Sequence, residues 1–193
     1  MKVSSHKHNF HLVKVTGYAF IFSSVCYLIS LLFPVDVSIN PPLISPWMIM
    51  FGRIQTALII LGSTSLGIKL ADEKKLMPAI GFTMMAIAQG VMFVIFTFTF
   101  NSNETMDEAF SLYSASLYLL VPAILMVAFY SDFPRWVNIT GIIAVLGFIS
   151  DNVAFVIIGK IRMWIYVLDT AWNLLFSLTM VFWGVFILRE IKK

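Results

Sequence analysis

Three ionisable side chains, Arg53, Asp151 and Asp169, fall inside otherwise apolar runs of this sequence. A charge near the middle of a lipid-embedded helix costs about 2.5–3.5 kcal/mol, so such residues face a bundle interior or a wet cavity and find partners there. One guanidinium facing two carboxylates leaves one negative charge over. Either one carboxyl keeps its proton or a cation binds, and both outcomes are the chemistry of a proton- or cation-coupled carrier. The plainer reading, in which the three charges only fix helix register, stands beside it, because near an interface an arginine reaches back to the headgroups.

The three charges share a depth. At the rise of an α-helix, Arg53 lies roughly 9 Å inward from Trp47, Asp169 roughly 8 Å inward from Trp164 and Asp151 roughly 12 Å inward from Gly159, all measured from the same side. Asp169, Asn173 and Ser177 are spaced four apart and occupy one helical face. Asn152 adjoins Asp151, and Gln55 and Thr56 follow Arg53. The expected polar cluster is therefore Arg53, Asp151, Asp169, Asn152, Asn173 and Gln55, held between spans two, five and six, with Arg53 bridging the two aspartates. Gly141, Ala144 and Gly147 make a small-residue face that lets the neighbouring helix approach closely.

The elements that must position these residues follow from composition. Of 193 residues, 60% are hydrophobic and 12% charged, against about a quarter charged in an ordinary soluble domain. The apolar residues come in runs long enough to cross a bilayer. The spans expected are residues 15–33, 48–70, 77–100, 109–130, 136–159 and 163–188, between tails 1–14 and 189–193. The fold class is then all-α, a polytopic membrane helix bundle of about six transmembrane helices. The first run is read as an uncleaved helix rather than a signal peptide, because Phe33-Pro34-Val35-Asp36 offers no small-residue cleavage site. Pro41, Pro42 and Pro46 extend and break the chain between spans one and two, and Pro122 falls inside span four.

Lysine and arginine in short loops set the orientation. Ten of them (Lys2, Lys7, Lys14, Lys69, Lys74, Lys75, Arg135, Arg189, Lys192, Lys193) fall on the side of the termini, against Lys160 and Arg162 opposite, with Arg53 just inside a span. Both termini are expected to be cytoplasmic and the protein to be a multi-pass component of the cell inner (plasma) membrane. The net charge of +3 is topology, since no basic patch with interleaved aromatics suggests a nucleic-acid partner. The expected partners are the lipid bilayer and a membrane-protein partner or a second copy of the chain.

Other signals are thinner. His6, His8 and His11 have a spacing that can hold a metal, but a polar tail explains them as well and no metal site is expected. Cys26 is the single cysteine and forms no internal disulfide. Gln89 is a candidate for interhelical hydrogen bonding, and Met77, Met84, Met85 and Met92 form an adaptable packing face. The sequons at Asn103 and Asn138 are chance matches. No nucleophile elbow, HExxH pair or phosphate loop is present, so neither enzymatic activity nor a cofactor is expected.

Phe133-Pro134-Arg135-Trp136 leading into Gly141-Ile142-Ile143-Ala144, Trp172-Asn173-Leu174 with Trp183-Gly184-Val185-Phe186, and the early Gly17-Tyr18 resemble the DUF4386 family of small multi-helix bacterial membrane proteins. The resemblance covers about the last third of the chain. It implies a membrane helix bundle and transfers no catalytic residues. The sequence thus supports an integral membrane protein with a polar cluster, with a small carrier or channel component and a membrane interaction or assembly protein as the sharper alternatives.

Overall fold

A computed structural model describes residues 3–33, 35–36, 43–95, 97, 106–158 and 163–190. Among them are six helices: α1 (Val3–Ser30), α2 (Pro46–Asp72), α3 (Leu76–Val94), α4 (Met106–Tyr130), α5 (Arg135–Ile158) and α6 (Met163–Glu190). Each contains a stretch long and apolar enough to cross a membrane, as in a multi-pass membrane protein. In lipid the helix is the form in which an isolated segment satisfies all its own backbone groups. Hydroxyls follow the same rule: Thr16, Ser23, Thr83, Ser116 and Ser150 each donate to a carbonyl three or four residues back in their own helix.

Two span boundaries and one connection differ from the expected organisation. The first helix begins at Val3 and so takes in most of the basic tail; the side chains of His6, His8 and His11 lie outside the described residues. The third stops at Val94, with Ile95 and Thr97 continuing it in a wider turn. The proline-rich connection is not wholly irregular, because β1 (Val35–Asp36) pairs antiparallel with β2 (Leu43–Ile44).

Local chemistry explains the better-defined ends. Pro46 opens α2, where its fixed φ suits the first turn and its missing N–H costs nothing. At the other end Lys74 adopts φ 61°, its N–H donates to Ala71 O at 2.9 Å and the Lys75 N–H to Leu70 O at 2.9 Å. This is a Schellman closure with lysine where glycine is usual. Pro134 precedes α5 and its carbonyl accepts the N–H groups of Val137 and Asn138.

Each helix packs on its sequence neighbours, and α1 packs on α6, so the six form a closed ring. The α1–α6 seam that closes it runs through small residues. A Cβ on Gly184 would fall 2.6 Å from Gly17 O, and one on Gly17 would fall 2.5 Å from Leu188 Cγ. Ser24 Oγ donates to Ser177 O at 2.8 Å along the same seam. Large apolar side chains cover the outside on every helix, among them Phe22, Leu61, Ile87, Tyr118, Leu146 and Leu178. In water that surface would aggregate, whereas lipid solvates it.

The interior has two halves. Toward the ends of the helices that include the α2–α3 and α4–α5 turns, Phe20, Phe82, Phe133 and Trp183 stack into one cluster, with ring centroids 5.4–6.3 Å apart. Phe20, Phe82 and Trp183 are fully buried. Asn138 ties this plug together: its Oδ1 accepts from Trp183 Nε1 at 3.2 Å, and its amide donates to Ala128 O at 3.1 Å. At the rim of the same half, Lys75 pairs with Asp132 and lies 3.5 Å from Glu73, clasping the α2–α3 turn to the α4–α5 turn. The opposite half is hollow.

Candidate functional site

A cavity of about 170 Å³ occupies the hollow half, and all six helices line it. Helical spacing explains who contributes. On α2, Gly52, Gln55, Thr56 and Ile59 recur at the three- and four-residue steps of one face, as Tyr113, Ser116, Leu117 and Leu120 do on α4. From α6 come Asp169, Thr170, Asn173 and Phe176, from α3 Ala88, Gln89 and Met92, from α1 Tyr27 and Ser30, and from α5 only Phe148. Tyr27 OH donates to Thr170 O at 3.1 Å, joining α1 to α6 at the wall.

Asp169 is the one charged side chain among the described residues of this lining. Asn173, one turn on, donates to its Oδ2 at 3.1 Å and to its backbone carbonyl at 2.9 Å. Tyr113 lines the same cavity from α4. The Asn173 amide thus fixes the orientation of the carboxylate. Gln55 and Gln89 also line the cavity, and neither side-chain amide makes a hydrogen bond among the described residues. A carboxylate held in place in a cavity shared with two amides is an arrangement that can take a ligand.

The structure brings together Asp169, Asn173 and Gln55 of the expected cluster, and separates the rest. Arg53 does not bridge the aspartates, and it forms no ion pair with either. Its Nη2 instead donates to Thr97 O at 3.3 Å, just beyond α3, where the orphan carbonyls of a helix end attract a cation. The reason is azimuth. Gly52 and Gln55 point into the ring, so Arg53, about 100° round from Gly52, points along α2 toward α3, and α2 packs on α1 and α3 rather than on α5 or α6. The expected polar core between spans two, five and six is therefore replaced by a cavity at the centre of the whole ring.

Asp151 is displaced more subtly. It is buried, at 5% exposure, behind the cavity wall rather than in it. Between α5 and α6 the indole of Trp172 packs directly on Gly147: a Cβ there would fall 2.2 Å from the ring. The expected close approach on the Gly141, Ala144 and Gly147 face is thus occupied by an indole and, at Gly141, by Thr179. Trp172 Nε1 and Asp151 Oδ2 are both buried without a hydrogen-bond partner among the described residues. Asn152 turns the other way, donating to Ser114 Oγ of α4 at 2.9 Å. Ser177, the third member of the expected polar stripe, faces the α1–α6 seam, its Oγ buried without a partner.

Tyr113 and Tyr27 were not marked by their sequence context as site residues. A signal for Tyr113 exists: Tyr113, Ser114 and Ser116 put hydroxyls in span four near its hollow-side end, where an apolar run has no need of them. Asn138, which reads as a chance sequon, is instead 3% exposed with its amide engaged in the plug.

No family model, curated protein or solved structure matches this chain. The resemblance to the DUF4386 family gains no support from these comparisons, and the site stands on its own geometry.

Proposed function

We propose that the protein is a small proton- or cation-coupled carrier or channel component, and that the cavity around Asp169 is its cation site. The observation that carries this reading is an oriented carboxylate in a cavity lined by every helix, with no other charged side chain among the described lining residues. Intramembrane carboxylates in such positions mark ion and proton paths. The division of the bundle supports it: the cavity lies in one half, while an aromatic cluster and an ion-pair clasp fill the other. The lysine and arginine distribution then places the termini and the plug on the cytoplasmic side of the plasma membrane, and the cavity toward the outside.

Reconstitution into liposomes loaded with a pH-sensitive dye tests this. Imposed sodium, potassium, proton or organic ammonium gradients should drive flux through the native protein, and Asp169→Asn should abolish it while leaving the melting temperature within a few degrees. Absence of any such flux with the native protein, or flux unchanged in Asp169→Asn, would refute it. A reporter fused at the C-terminus and found outside the cell would reverse the assigned orientation.

A further inference from the structure

Resting on the reading of this cavity as a cation site, we infer that its ligand is a small organic ammonium of about the size of benzene, and not a bare inorganic ion. Size is the first argument. A cavity of about 170 Å³ is close to the roughly 150 Å³ that accommodates benzene in an engineered protein cavity. A dehydrated sodium or potassium ion would leave most of that space empty.

The walls give the second. Hard cations are held by shells of six or more oxygens, but Asp169 is the only carboxylate among the described lining residues. Aromatic side chains share the wall: Tyr27, Tyr113, Phe148 and Phe176 come from four different helices, and Phe148 and Phe176 meet edge to face with centroids 6.1 Å apart. Ring faces attract alkylammonium groups, which shed water far more readily than metal ions and use the same apolar surface for their methyl groups.

Charge gives the third. One carboxylate matches one positive charge. A zwitterion such as an amino acid would also need a basic partner for its own carboxylate, and none lines the cavity among the described residues. Gln55 and Gln89, with amides that bond to nothing else described, supply acceptors for an N–H or a partner for a hydroxyl on the ligand.

The test uses the full chain in detergent or nanodiscs, with choline as the probe, read by calorimetric titration. Three comparison ligands accompany it: the uncharged isostere 3,3-dimethylbutan-1-ol, tetrabutylammonium as an oversized cation, and potassium chloride. Choline should bind at least about tenfold more tightly than the alcohol, and tetrabutylammonium should bind at least about tenfold more weakly than choline. Asp169→Asn should remove the preference for choline over the alcohol. Phe176→Leu, which keeps the charge and most of the volume, should weaken choline several-fold and serves if Asp169→Asn does not fold. Equal binding of choline and the alcohol, or tight tetrabutylammonium binding, would overturn the inference. Potassium binding without choline binding would overturn it while leaving the cation site standing, and binding of no cation together with no flux in liposomes would remove both.

Discussion

Replacing Gly147 by alanine probes the contact that sets Asp151 behind the cavity wall. A Cβ at that position falls 2.2, 2.4 and 2.6 Å from three atoms of the Trp172 indole, whereas ordinary contact begins at 3.4 Å. The ring must therefore retreat by more than about 1 Å, and a gap of that size forfeits a quarter to a half of the dispersion attraction of each atom pair it opens. Between helices in lipid this packing is much of what holds α5 to α6, because hydrocarbon offers little hydrophobic drive for association. Overpacking of this kind costs about 1–3 kcal/mol. On the scale of about 2–4 °C per kcal/mol for a chain of this length, the apparent melting temperature in detergent falls by several degrees. A double-mutant cycle with Trp172→Leu isolates the cause. In that background the alanine should cost less than about 0.5 kcal/mol, since the flexible leucine yields. A neutral Gly147→Ala, or the same loss with leucine at 172, would refute the placement of the indole on α5 and with it the separation of Asp151 from the cavity.

The remaining expectations concern the plugged half. Asn138→Ala strips the buried Trp183 N–H and the Ala128 carbonyl of a partner and should lower stability by about 1–3 kcal/mol, measured by thermal unfolding; no loss would dissolve the hub. Lys74→Gly should stabilise by roughly 0.5–1 kcal/mol, because glycine accepts the left-handed φ that lysine adopts at a steric cost, and a fall in melting temperature would show that residue 74 is not left-handed. The Asp132 hydrogen bond, reinforced by the carboxylates of Asp132 and Glu73 and only partly opposed by burial, raises the Lys75 ammonium above its ordinary pKa of 10.5. The clasp's contribution is thus complete below pH 10.5 and fades as the pH climbs through the raised folded-state value. With both side chains more than a third exposed, it amounts to no more than about 1 kcal/mol. Lys75→Ala should flatten the alkaline limb of a stability profile, and an unchanged limb would mean the pair contributes nothing.

Six apolar runs and the neighbourhood of Asp169 and Asn173 were determined by the sequence alone. Hydropathy reads what lipid requires of a span, and the fixed rise of a helix converts residue number into depth. Arg53, Asp151 and Asp169 were thereby put near one level without any knowledge of packing. Azimuth is another matter. A helix surrounded by lipid on one side and by other apolar helices on the other carries little of the polar-to-apolar contrast that tells a soluble helix which face to bury. Nothing in the runs themselves said that Gln55 turns inward and Arg53 toward Thr97, or that Trp172 would lie over Gly147 and shut Asp151 out. Nor did they say that α1 would close on α6 through Gly17 and Gly184, where the Tyr27 hydroxyl meets Thr170 O, 143 residues away. Those choices belong to shape complementarity between helices, and only the assembled ring decides them.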